Sequence, residues 1–93
     1  MSEEEARQFR ITGRVQGVAF RAWTQRRALA LGLRGWVRNE ADGSVTALMA
    51  GPKADMATML SDLGEGPAAA SVATVESDPA DPREVPDGFE ITG

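Results

Sequence analysis

The chain of 93 residues contains no cysteine and no histidine. Without cysteine it can form no disulfide, no thiolate nucleophile and none of the thiolate zinc sites of small domains. Without histidine it lacks the usual general base, a phosphohistidine intermediate and the commonest metal ligand. We therefore expect chemistry that uses carboxylates, amides, hydroxyls, arginines and backbone groups, with no cofactor and no metal.

Long apolar runs are also absent. No stretch reaches the roughly 18 apolar residues that span a bilayer, and the N-terminus is acidic rather than a signal sequence. A chain of this length is too short to divide into several cores, which takes about 250 residues or more. We expect an acidic flexible tail over residues 1–6, a single domain over residues 7–93, a cytoplasmic location and no membrane partner.

Charge is distributed unevenly along the chain. The formal net charge is −4, yet residues 6–39 carry eight arginines and no acidic residue. The net charge argues against general adhesion to nucleic acid or membranes, whereas the cationic N-terminal third suits a small anionic ligand. Any single arginine in this stretch is also compatible with an ordinary surface position.

Hydrophobic periodicity predicts an α+β fold. Apolar residues alternate in the expected strands and recur every three or four residues in the expected helices, with Asp42-Gly43 as a hairpin turn. The strands are expected at 9–13, 33–38, 44–50, 72–77 and 89–91, and the helices at 20–31 and 52–63. The proline-rich segment 78–87 is expected to be irregular. This order predicts a ferredoxin-like βαββαβ sandwich: a mainly antiparallel sheet with two helices on one face and an extra short C-terminal strand.

The segment Gly13-Arg14-Val15-Gln16-Gly17-Val18-Ala19-Phe20-Arg21 joins the first strand to the first helix. The first amides of a helix lack partners within the helix, so they can converge on an anion. Gly13 and Gly17 would let the backbone approach a ligand, and Arg21 could add a guanidinium matched to phosphate oxygens. The spacing does not fit a nucleotide P-loop. These residues indicate a phosphate cradle, and the alternative is that the glycines only shape a tight loop.

Two motifs resemble those of the acylphosphatase family. The first is Gly-Arg-Val-Gln-Gly-Val-x-Phe-Arg at residues 13–21, and the second is Gly-Trp-Val-Arg-Asn at residues 35–39, followed by Asp-Gly-Ser-Val at residues 42–45. The likeness extends from Arg7 to Thr92. It implies the same sandwich fold and the hydrolysis of acyl phosphates to a carboxylate and inorganic phosphate.

The resemblance also implies a set of site residues. Arg21 and Asn39 would be catalytic, with Asn39 holding the attacking water. The phosphoryl oxygens would be bound by Arg21 together with the backbone amides of Gln16, Gly17, Val18, Ala19 and Phe20. Without the resemblance, Asn39 would be interpreted as a turn residue. Thr24 could bond to the loop or to Asn39, or it could lie in the core, and we favour the core.

The expected partners follow from this chemistry. They are a small acyl phosphate as substrate and inorganic phosphate as product and inhibitor, with no nucleic acid, and the protein is expected to be a monomer. The alternative is a non-catalytic anion- or RNA-binding module with the same fold. RNA modules of that fold stack bases on sheet aromatics, whereas we assign Trp23 and Trp36 to packing. We expect a free-standing enzyme rather than one domain of a larger protein.

Overall fold

The computed structural model describes residues 3–93, so residues 1 and 2 of the expected tail lie outside it. The chain forms five strands and two α-helices, together with one short 3₁₀ turn at Pro82–Glu84. In chain order these are β1 (Glu4–Arg14), α1 (Phe20–Ala30), β2 (Arg34–Asn39), β3 (Val45–Pro52), α2 (Lys53–Glu65), β4 (Ser71–Pro79) and β5 (Phe89–Ile91).

The five strands form one sheet in the order β4-β1-β3-β2-β5. All neighbours are antiparallel except β2 and β5, which run parallel. Both helices pack their apolar residues against the same core as the buried residues of β1 and β3. The predicted ferredoxin-like sandwich with an additional C-terminal strand is confirmed.

Each helix buries one stripe of residues. In α1 the buried residues Phe20, Thr24 and Ala28 recur every four positions, which places them on one face. In α2 the buried stripe is Met56, Met59 and Leu63. Each large apolar side chain that is fully buried stabilises the fold by roughly 1.5–3 kcal/mol. No helix within residues 3–93 is long and apolar enough to cross a membrane.

The first strand begins earlier than expected. Glu4, Glu5 and Ala6 pair with Pro52, Gly51 and Ala50 of β3, and Ala6 is 4% exposed. The expectation of a flexible tail is therefore wrong for residues 4–6. The acidic composition suggested a solvated tail, but β3 extends far enough to provide these residues with hydrogen-bonding partners.

The proline-rich segment is also more ordered than expected. Residues 78 and 79 belong to β4, and the carboxylate of Asp81 accepts a hydrogen bond from the amide of Arg83 at 2.9 Å, which caps the 3₁₀ turn. Beyond the turn, Val85 packs on the sheet face opposite the helices, in a second small apolar cluster. Trp36 packs against this cluster, with the guanidinium of Arg38 4.6 Å from the centre of its ring. Trp36 is thus a packing residue, but on the other face of the sheet from the main core.

Candidate active site

The loop between β1 and α1 has an unusual backbone. Gly17 has φ 74° and Ala19 has φ 60° with ψ 24°. Within residues 3–93, Ala19 is the only residue other than glycine with a positive φ. That conformation costs an alanine on the order of 1 kcal/mol. Such strain is typically kept where a loop must hold a particular shape for binding or catalysis.

The amides at the start of α1 are free to bind an anion. Trp23 is the first helix residue whose amide reaches a backbone acceptor, the carbonyl of Ala19 at 3.0 Å. In the described part of the chain, the amides of residues 16–22 meet no acceptor. No side chain caps this helix, and no acidic residue lies in its first turn. The helix dipole and these amides therefore create a local preference for negative charge.

Arg21 adds a full positive charge at this point. Four of the eight arginines in the cationic N-terminal third form ion pairs: Arg10 with Asp42 and Glu76, Arg27 with Asp62, Arg34 with Glu4 and Arg38 with Glu40. Arg21 forms no ion pair or hydrogen bond with any residue from 3 to 93. Its guanidinium remains available for an anionic ligand.

The loop, Arg21 and Asn39 surround one cavity of about 190 Å³. Its lining residues are Val15, Gly17, Ala19, Phe20, Arg21, Ala22, Asn39 and Ile91. Pockets for drug-sized ligands are larger, about 300–1,000 Å³, so this volume suits a phosphate-sized group. The fold thus brings together two residues that are well separated in the sequence, Arg21 and Asn39, and their catalytic roles stay a prediction.

Asn39 ends β2 and precedes the turn formed by residues 40–44. Its side-chain oxygen Oδ1 is buried and has no hydrogen-bond partner among the described residues. The turn is held by other groups: the amide of Glu40 donates to the carbonyl of Ser44 at 2.8 Å, and the carboxylate of Asp42 accepts from the amide and the hydroxyl of Ser44 at 2.9 and 2.6 Å. Asn39 therefore does not have the ordinary role of a turn residue.

The carboxylate of Asp42 is strongly favoured in its charged form. The hydroxyl and the amide of Ser44, with a smaller effect from Arg10, hold the pKa of Asp42 well below its ordinary value. Hydrogen bonds from Thr46 and Arg38 likewise lower the pKa of Glu40. The turn beside Asn39 is thus held by hydrogen bonds to two charged carboxylates, those of Asp42 and Glu40.

Four residues of the first motif do not line the cavity: Gly13, Arg14, Gln16 and Val18. The side chain of Gln16 donates to two backbone carbonyls in the turn, and Val18 packs against the core. The prediction that their amides bind phosphate concerns the backbone and stays a prediction. Gly13 lies at an irregularity between β1 and β4, where an added Cβ would lie 2.3 Å from the carbonyl oxygen of Ser71. Its role is close strand packing rather than approach to a ligand.

Three cavity residues were missed by the sequence analysis: Val15, Ala22 and Ile91. Val15 and Ala22 flank the predicted site residues, so proximity in sequence could have indicated them. Ile91 follows Phe89 by two positions in β5, and it reaches the cavity only because β5 pairs with β2. No local signal predicts that pairing.

Thr24 lies in the core, as favoured from the sequence, with 0% of its surface exposed. Its hydroxyl and the Oδ1 of Asn39 both lack a hydrogen-bond partner within residues 3–93, so the alternative bond between them is not formed. The described residues also contain no group of three or more carboxylates that could hold a metal ion.

An α+β sandwich whose first helix starts with unpartnered amides, beside an arginine with no ion pair in the described residues, is the arrangement of a small domain suited to an anionic ligand. The family model of the acylphosphatases matches residues 7–91, and the chain belongs to the acylphosphatase family. An acylphosphatase of Rhizobium meliloti is 60% identical over 83 residues, which cover 89% of this chain and 87% of that protein. Family membership favours the enzyme over the non-catalytic module.

Solved structures show the same relationship. The crystal structure of an acylphosphatase from Bacillus subtilis matches with a TM-score of 0.91 at 28% identity, covering 98% of this chain and all of the other. The structure of HypF from T. kodakarensis matches with a TM-score of 0.83 at 27% identity, covering 96% of this chain but 12% of HypF. The same fold therefore also occurs as a small part of a longer protein.

Proposed function

We propose that Arg21 and Asn39 carry the hydrolysis of acyl phosphates, the reaction of this acylphosphatase. The observation that carries the proposal is their position on one cavity, together with a guanidinium and helix-start amides that have no partner in the described chain. An anionic ligand would satisfy all of these donors at once.

The substrate's phosphoryl group would occupy the cavity. Arg21 would bind two of its oxygens through the fork of the guanidinium, and the amides of residues 16–20 would donate to the remaining oxygens. The acyl part would extend towards solvent past Ile91, which lines the cavity and is 40% exposed.

Water then attacks the phosphorus. The water oxygen forms a bond to phosphorus while the bond between phosphorus and the acyl oxygen breaks, and the carboxylate leaves with the electron pair. The proton of the water passes to the phosphate product or to solvent. The conjugate acid of the leaving carboxylate has a pKa of about 4, so no general acid is needed at neutral pH. A loose transition state also requires little activation of the nucleophile, and positioning and charge stabilisation remain as the enzyme's tasks.

Asn39 would position the water. Its Oδ1 is buried, so the polar atom left to reach a water molecule is Nδ2, which can donate to the water oxygen. This contact fixes the water in line with the breaking bond while leaving a second lone pair free for attack. Asn39 would therefore act mainly in the transition state, whereas Arg21 would act in both substrate binding and turnover.

We also propose that the enzyme acts as a monomer in the cytoplasm. The two proposed catalytic residues, Arg21 and Asn39, line the same cavity within one chain. A chain with no cysteine is suited to a reducing compartment. Sedimentation of the purified protein at two concentrations tests the oligomeric state.

Phosphate release from benzoyl phosphate tests the site assignment. The wild-type protein should hydrolyse benzoyl phosphate and be inhibited competitively by inorganic phosphate. Arg21→Ala should lose both turnover and inhibition. Arg26→Ala is the matched control, because Arg26 lies on the same helix, is exposed and does not line the cavity. If Arg21→Ala is folded and still binds phosphate like wild type, the phosphate-binding site has been assigned to the wrong residues.

A further inference from the structure

The side chain of Gln16 joins the two halves of the candidate site. Its Nε2 donates to the carbonyl of Glu40 at 2.8 Å and to the carbonyl of Ser44 at 2.9 Å. Both hydrogens of the amide group are therefore used. Gln16 itself precedes Gly17, which lines the cavity, and Glu40 directly follows Asn39.

The two hydrogen bonds from Gln16 link the loop before α1 directly to the turn after Asn39. Within residues 3–93, no other hydrogen bond connects the loop of residues 15–19 to the turn of residues 40–44. The two carbonyls are the first and the last of that turn, and each also accepts a bond from a backbone amide of the same turn: from Gly43 at 3.2 Å and from Glu40 at 2.8 Å. The carboxamide of Gln16 thus attaches the loop to both ends of an already closed turn.

We infer that the side chain of Gln16 is a positioning residue that sets the placement of Asn39 relative to the phosphate-binding loop. This inference rests on the proposed function of Asn39. The loop would hold the phosphorus and Asn39 would hold the water, so the in-line approach depends on the separation of the two segments. A displacement of about 1 Å in such an arrangement can lower a rate by roughly a hundredfold. Glu40 transmits the constraint, because its carbonyl is bonded to Gln16 and its backbone is continuous with Asn39.

The end of the side chain at position 16 must carry a hydrogen-bond donor. Two carbonyl oxygens face the end of the side chain, so an ionised carboxylate there would be repelled, and an apolar group would leave both carbonyls with one bond fewer. Methionine and glutamate have nearly the length of glutamine, so they change the donor while largely keeping the volume.

The first test is Gln16→Met, assayed with benzoyl phosphate. We expect kcat to fall tenfold or more, while the inhibition constant of inorganic phosphate changes less than threefold. In an Asn39→Ala background the same substitution should lower kcat by less than twofold, because the residue that it positions is already missing. Gln25→Met is the matched control: Gln25 also donates to a backbone carbonyl, that of Phe89 at 2.9 Å, but does not line the cavity, so its kcat should stay that of wild type.

The second test uses pH. In Gln16→Glu the carboxyl group can donate one hydrogen bond only when it is protonated, so the kcat of this variant relative to wild type should rise as the pH falls from about 7 to about 5. A melting curve for each variant identifies any that fail to fold, and the glutamate profile decides the matter if the methionine variant does not fold.

Three results would overturn the inference. They are an equal loss of kcat in the wild-type and the Asn39→Ala backgrounds, a loss of phosphate inhibition as large as the loss of kcat, and a relative activity of Gln16→Glu that does not depend on pH. A failure of the proposed function is distinguishable, since the wild-type protein itself would then not hydrolyse benzoyl phosphate.

Discussion

Replacement of Asn39 by alanine should change activity strongly and stability little. A buried polar atom without a partner costs about 1–3 kcal/mol of stability, and Oδ1 of Asn39 is such an atom. Alanine removes that cost. It also removes the van der Waals contacts of the half-buried carboxamide. The two effects oppose each other, so we expect the free energy of unfolding to stay within about 1 kcal/mol of the wild-type value.

The effect of Asn39→Ala on kcat is not offset by an opposing effect. A preorganised polar group that acts in the transition state is worth roughly 3 kcal/mol, which corresponds to a loss of about a hundredfold in kcat. Phosphate binding should be weakened much less, because Arg21 and the loop amides would still hold the anion. The measurements are kcat with benzoyl phosphate, the inhibition constant of inorganic phosphate, and a urea unfolding curve followed by circular dichroism.

The control for this experiment is Gln8→Ala, which removes an exposed carboxamide from β1 outside the cavity and should leave kcat unchanged. A folded Asn39→Ala protein with wild-type kcat would refute the reasoning, and another group would have to hold the water. Equal losses of kcat and of phosphate affinity would also contradict the prediction, because they would show that Asn39 binds the phosphate rather than the water.

The helices could be predicted because their signals are local. Phe20, Thr24 and Ala28 lie on one face of any helix that contains them, whatever the rest of the chain does. The parallel pairing of β5 with β2 could not be predicted in the same way. It depends on how the segment after β4 crosses the sheet, and the spacing of residues within β5 carries no information about its neighbour.

The two glycines of the first motif have different roles that the sequence alone does not distinguish. Gly13 and Gly17 carry the same signal in the sequence, and both have positive φ in the structure. An added Cβ at Gly13 would collide with β4, whereas at Gly17 it would meet nothing within 4 Å. Only the position of β4 separates a packing glycine from a cavity glycine. The link from Gln16 to the turn is hidden for the same reason, because its partners are backbone carbonyls 24 and 28 positions along the chain.

The remaining predictions concern the glycines, metal ions and acid. Gly13→Ala should destabilise the fold by about 3 kcal/mol, because its Cβ would clash with the Ser71 carbonyl. Gly17→Ala should destabilise the fold by about 1 kcal/mol and weaken inhibition by phosphate. Equal urea midpoints for the two variants would contradict this prediction. Dialysis against EDTA should leave kcat unchanged, and a loss restored by magnesium or zinc would show that an ion takes part. Asp42→Asn should make stability less sensitive to acid. Because the pKa of folded Asp42 lies below its ordinary value of about 3.9, its contribution is complete above that pH and is lost as the pH falls towards the folded pKa. Urea midpoints measured from about pH 6 down to about pH 2 should therefore fall more steeply for wild type than for Asp42→Asn. Parallel curves would mean that the hydrogen bonds from Ser44 do not stabilise the charged carboxylate of Asp42.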